Sequence, residues 1–69
     1  MAQMIPVRSS NLVAVGYVPA SMKLYIQFRH GAYVYYNVPQ HIFEGLMNAD
    51  SHGKYHAAHI KNAFPYHRL

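Results

Sequence analysis

The stretch from Lys23 to Val38 constrains this chain more than any other. It reads K-L-Y-I-Q-F-R, then H-G-A, then Y-V-Y-Y-N-V. In the first half Leu24, Ile26 and Phe28 alternate with Lys23, Tyr25, Gln27 and Arg29. That is the period of two a half-buried strand requires, because successive side chains leave opposite faces. One face of the strand is apolar and the other aromatic and basic. The second half is dense in aromatic and β-branched residues, which suit a pleated surface. The connection through Gly31 has the length of a hairpin turn of three residues or slightly more. Any fold of this chain is therefore built around an antiparallel hairpin.

The flanks extend it on both sides. Residues 1–8 show no stable period and read as an N-terminal arm, extended and able to pair at a sheet edge. Ser9, Ser10 and Asn11 form a turn, since their short side chains bond nearby backbone. Leu12 to Tyr17 is an apolar strand, with Gly16 marking a bulge or a close backbone contact. Pro19 and Ser21 interrupt the chain before the hairpin, and the short loop makes the first two strands antiparallel neighbours. Strand three runs from Tyr33 to Asn37. After Val38 the period changes: Ile42, Phe43, Leu46, Met47 and Ala49 place an apolar stripe on a helix from about Pro39 to Ala49. Gly45 weakens this helix by about 1 kcal/mol or lets it approach a neighbour closely. Ser51 caps a second helix, whose stretch from Lys54 to about Ala63 puts Tyr55, Ala58, His59 and Asn62 on one face, and Pro65 stops it at or before Phe64. Residues 66–69 are a basic, aromatic tail.

The expected architecture is α+β: a three-stranded antiparallel β-meander with two C-terminal helices packed on one face. Three short strands cannot hold their apolar face against water, so helices must cover it. Leu24, Ile26, Phe28, Ile42, Phe43 and Leu46 are the expected contact, and losing Phe28 or Phe43 to Ala should cost about 3–5 kcal/mol. With 69 residues the chain is a single domain that buries only about 60% of its extended surface, which excludes an interdomain catalytic cleft. There is no cysteine, so neither a disulfide nor a thiolate metal site reinforces the core. The sequence has no apolar run of about 18 residues and no basic-then-apolar leader. It is expected to be soluble and cytoplasmic, without membrane contact.

Six Lys and Arg stand against two acids, Glu44 and Asp50, giving a net charge of +4. Such a balance favours an anionic partner through its long-range field. On the hairpin Tyr25 and Arg29 share a face, and the register of strand three decides whether Tyr33 and Tyr35, or Tyr36, lie beside them on the side away from the helices. Rings beside cations suit unpaired bases, which stack while phosphates take Lys and Arg. The structural alternative is that tyrosines simply shield the sheet. If Tyr33 and Tyr35 point to the core, Tyr25, Arg29 and Tyr36 form the platform. Lys54 and Lys61, seven apart on one helical face, join Arg68, His67 and Arg8 as further cations for phosphates or as a solvated face. His52, His56 and His59 fall near one side of the second helix at ligand spacing, yet lack a cysteine or a set of carboxylates to complete a site. No metal or other cofactor is expected. Catalysis has no support: there is no Gly-x-Ser-x-Gly elbow, no acid-base pair of carboxylates and no Gly-rich phosphate loop.

The order S-S-N-L-V-A-V-G-Y, alternating strand, Gly turn, Y-V-Y, V-P, helix, A-D-S-x-G-x-Y, H-I, F-P-Y resembles the KTSC domain. That family is named for its occurrence at the C-terminus of some lysyl-tRNA synthetases. The likeness runs from about Ser9 to Tyr66 and rests on Ser10, Asn11, Gly16, Tyr17, Tyr33, Tyr35, Val38, Pro39, Ser51, Gly53, Tyr55, His59, Ile60 and Pro65. His56, Ala57 and Phe64 depart from it. The resemblance implies a small bacterial or phage module, or an appendage of a larger enzyme, with RNA binding as a proposed role. Taken together, these readings lead to a non-catalytic accessory module. It is expected to bind RNA or another nucleic acid, with Arg29, Lys54, Lys61 and Arg68 on phosphates and Tyr25, Tyr35 and Tyr36 under bases. Two other readings stand beside it. One is a protein-interaction module, which could self-associate through an edge strand or the tail. The other is a pocket for a small anionic ligand such as a nucleotide, between Ser10, Asn11 and the second helix.

Overall fold

The computed structural model describes residues 3–69. Within it the hairpin sits at the centre of one antiparallel sheet. The strands are β1 (Ile5–Pro6), β2 (Leu12–Val18), β3 (Lys23–Phe28), β4 (Gly31–Tyr35) and β5 (Tyr66–Arg68), in the spatial order β1-β2-β3-β4-β5. Helices α1 (Gln40–Asn48) and α2 (His52–His59) lie between β4 and β5 in the chain. The sheet thus has five strands where periodicity indicates three. Both additions are too short to show a period. The N-terminal arm pairs along β2, Ile5 opposite Val15 and Pro6 opposite Ala14; its first two residues lie outside the described ones. The segment read as a tail returns after the helices to pair with β4.

The turn between β3 and β4 is also tighter than expected, because Gly31 already belongs to β4, opposite Phe28. Its φ of +155° suits glycine. A Cβ there would stand 3.0 Å from the Arg68 guanidinium, so the missing side chain lets β5 come in close. The irregularity in β2 falls between Leu12 and Ala14, at Val13, and not at Gly16.

Register settles which rings face the helices. Leu24, Ile26 and Phe28 lie opposite Tyr35, Tyr33 and Gly31 on β4, and Tyr33 and Tyr35 lie opposite Arg68 and Tyr66 on β5. Opposed residues share a face. Tyr33, Tyr35, Tyr66 and Arg68 therefore look to the helical side, whereas Tyr25, Gln27, Val34 and His67 look away. The core gathers Leu12, Val15, Leu24, Ile26, Phe28, Tyr35, Val38, Leu46 and Ile60. Ile42 and Phe43 pack against it half-buried, with the Phe43 ring stacked on Tyr17 at 4.9 Å.

Pro39 is the N-cap of α1 with extended backbone, one position before the helix proper. At Gly45 the Tyr55 hydroxyl occupies the place a Cβ would take, so the glycine serves the close approach of α1 to α2. Ser51 caps α2 as expected, its side chain accepting from the Lys54 N–H at 3.2 Å. Helix α2 is shorter than its spacing suggests, ending at His59, and its inward face differs from the expected one. His56 and Ile60 are buried, while Ala58, His59 and Asn62 are exposed. The helix carries little apolar asymmetry of its own, so its orientation follows from where His56 and Ile60 find partners. Among the described residues no helix is long and apolar enough to cross a membrane.

Candidate functional site

On the outward face of the sheet, Tyr25 and Tyr36 remain half-exposed. The Lys23 ammonium lies 5.9 Å from the Tyr36 ring centre, and His67 meets the same ring edge-on at 5.6 Å, with its Nδ1 3.2 Å from the Tyr36 hydroxyl. Between them Val34 is only 3% exposed although no helix covers it. Its cross-strand partners are Tyr25 and His67, so part of what these rings do is shield the sheet.

The other expected members of this surface go elsewhere. The Arg29 guanidinium donates to the carbonyl oxygens of Ser10 at 2.9 Å and Ser9 at 3.0 Å, tying the β1–β2 connection to the β3–β4 turn. Arg68 donates to the His30 carbonyl at 2.9 Å and lies over the Tyr33 ring. Tyr35, 4% exposed, is buried under α2 and offers no surface to a ligand on the outward side. Lys54 is exposed on the first turn of α2. Lys61 falls in the turn after α2, since the helix ends before it.

On the helical side the same strands form a more definite site. Phe28, His30, Tyr33, Tyr66, Tyr35 and His56 make an unbroken circuit of ring contacts. The successive centroid distances are 5.4, 5.9, 5.8, 5.6, 5.6 and, closing back to Phe28, 4.9 Å. These six rings, with Asn11, Gly53, Ala57 and Lys61, line a cleft of about 260 Å³ between β3–β4–β5 and α2. No carboxylate is among the lining residues. Over Gly53 there is open space where a side chain would project, so the wall beside α2 is low at that point.

Beneath the cleft, His56 Nε2 and the Tyr35 hydroxyl are 2.8 Å apart in a buried hydrogen bond. Burial, with Lys61 adding repulsion, holds the imidazole below its usual value of 6.5. Burial first, and the neighbouring Tyr33 and Tyr66 second, push the Tyr35 phenol up to about 12. Both shifts favour neutral groups, an arrangement in which the phenol donates to the imidazole. The two residues form a floor, polar within but uncharged, under an aromatic wall.

The histidines thus separate. His52 Nδ1 is 2.7 Å from the Leu46 carbonyl oxygen, to which it donates. His56 is committed to Tyr35, and His59 lies exposed against the Tyr55 ring at 4.5 Å. The match of His59 to the KTSC pattern implies burial with a hydrogen bond; it is exposed instead, and the buried histidine of this helix is His56. Among the described residues no group of three or more His, Asp or Glu side chains stands close enough to hold a metal ion.

Of the pocket expected between Ser10, Asn11 and the second helix, Asn11 and the helix line the cleft and Ser10 does not, while the walls formed by His30, Phe28 and Tyr66 have no counterpart in that expectation. The missing link is β5, which brings Tyr66 beside Tyr33 and Tyr35. The run Y-V-Y followed at distance by P-Y was the available signal.

A model of the KTSC domain matches residues 8–64. The chain belongs to the KTSC domain family. A protein of Tsukamurella paurometabola is 42% identical over 62 residues, 88% of this chain and 92% of that one. The crystal structure of a KTSC domain protein from Yersinia pestis is similar with a TM-score of 0.97 at 36% identity, covering 100% of this chain and 99% of that one. The KTSC match stops at Phe64, before β5, whereas the structural likeness extends over the whole chain, so the edge strand that completes the cleft is included in it.

Proposed function

We propose that this KTSC domain is a non-catalytic module of the cytoplasm that binds single-stranded nucleic acid, holding an unstacked base in the aromatic cleft while nearby cations meet the phosphates. The observation that carries this reading is the circuit of six rings around a cleft with Lys61 in its wall and no carboxylate. Every base has a π face, and stacking on an aromatic side chain contributes about 1–3 kcal/mol. At about 260 Å³ the cleft lies just below the range of roughly 300–1,000 Å³ typical for drug-sized ligands, which suits one base with part of its sugar. Lys54, Arg68 and the outward Lys23–Tyr36–Tyr25 surface supply positive and aromatic contacts for the strand beyond that base.

Fluorescence anisotropy with a labelled uridine octamer tests the reading. Binding is expected to weaken steeply as salt rises, because each neutralised phosphate releases counterions. Lys61→Gln should lower affinity and reduce the salt slope by about one unit. No salt-sensitive binding of single-stranded RNA or DNA would overturn it. A dimer forming with concentration in the absence of nucleic acid would favour the protein-interaction reading instead.

A further inference from the structure

The loop from Ser9 to Asn11 is held with unusual completeness for an exposed connection. Arg29 donates from its guanidinium to the Ser9 and Ser10 carbonyls, and its backbone N–H donates to the Asn11 carbonyl at 3.1 Å. The Ser9 hydroxyl accepts from the N–H groups of both Asn11 and Leu12 at 3.2 Å. Two of these five hydrogen bonds occupy the backbone N–H and carbonyl of Asn11. Its side-chain amide has no partner among the described residues, and Asn11 lines the cleft. A fixed backbone presenting an uncommitted amide beside a stacking site is how a recognition group is prepared in advance.

Building on the proposed nucleic-acid function, we propose that Asn11 reads the edge of the base in the cleft and that this base is adenine. A carboxamide carries an acceptor and a donor side by side. On its Hoogsteen edge adenine offers their complement at N6–H and N7, where the same edge of guanine presents two acceptors at O6 and N7. Pyrimidines have less ring surface to place among six aromatic side chains. Arg29 acts as a positioning residue: it touches no base and sets where Asn11 stands. This assigns the clamp a purpose that a phosphate-binding role for Arg29 does not explain.

The test uses uridine octamers carrying a single central A, G, C or U, titrated by anisotropy against the full chain. Wild type should prefer the A-containing octamer over the others by at least about fivefold, the lower end of a bidentate amide–adenine contact. Asn11→Ala, at an exposed position, should erase the preference by lowering affinity for the A-containing octamer to that of the others, with the salt slope and the thermal midpoint unchanged. Arg29→Lys keeps the charge but loses the forked contact to two carbonyls, and should reduce the preference more than the affinity. Equal binding of the A and G octamers, both above the pyrimidines, would mean ring size and not edge recognition, and would overturn the proposal. So would a preference for A that survives Asn11→Ala. In either case the nucleic-acid reading stands. Failure of every octamer to bind removes both.

Discussion

The buried pair under the cleft gives the sharpest test of how this small core is held together. Tyr35 and His56 are 4% and 8% exposed, and each is the other's partner in the hydrogen bond at 2.8 Å. Tyr35→Phe leaves the imidazole nitrogen unpaired, and His56→Phe leaves the phenol unpaired; each should cost about 1–3 kcal/mol, the penalty for a buried polar group without a partner. The double variant removes both polar groups and keeps two rings in place, so it should cost well below the sum. The expected coupling is about 1–3 kcal/mol. In a domain this size 1 kcal/mol moves the thermal midpoint by about 4–8 °C, which circular dichroism resolves easily.

The same pair carries a pH signature. His56 titrates below its usual value in the folded chain, so below about pH 6.5 the unfolded chain binds the proton first and stability must fall. Above that range this contribution does not change. Comparing wild type with His56→Phe between about pH 8 and pH 5 isolates it from the other histidines. Additive single costs, or an acid-side slope that His56→Phe leaves intact, would refute the reasoning.

Other outcomes follow from the same geometry. With the Tyr35 phenol pushed up to about 12, the unfolded chain ionises first as pH rises above about 10. Stability should then drop on the alkaline side, less so in Tyr35→Phe, as read by urea midpoints across that range. Gly45→Ala should destabilise by about 1–3 kcal/mol through overpacking against Tyr55, although helix propensity alone predicts a gain of about 1 kcal/mol; the sign of the change in thermal midpoint decides between them. Gly53→Leu places a side chain into open space on α2. It should raise stability by up to about 1 kcal/mol while weakening the binding of single-stranded RNA, measured by melting and anisotropy on one preparation.

The central hairpin and the order of strands and helices were legible because alternation over Lys23–Phe28 and the stripe Ile42–Phe43–Leu46 are long enough to repeat. β1 and β5 were not, since two and three residues cannot display a period and pair only because β2 and β4 offer open edges. The positions of Tyr33 and Tyr35 depended on register, which the sequence leaves open and the pairing with Leu24 and Ile26 decides. Once they face inward, Tyr25 and Tyr36 are left outside, the alternative that periodicity had already framed. Helix α2 misled because its apolar residues are few. His56, polar in composition, is buried since Tyr35 supplies its partner, whereas His59 has none and stays in solvent. Arg29 shows the remaining limit. A cation on the polar face of a strand reads as free for a ligand, and only coordinates reveal two carbonyls within reach.

Arg29, in the β3–β4 turn, bonds to the carbonyl oxygens of Ser9 and Ser10 in the β1–β2 connection, and Arg68, on β5, bonds to that of His30 in the turn. A carbonyl fixes a guanidinium in place without cancelling its charge, so electropositivity at this end of the molecule is part of the scaffold. It does not swing away as a surface lysine does, and exchanging either arginine for a neutral residue would loosen a backbone segment along with the field. Positive charge and the shape of the turn are, at this corner, one property.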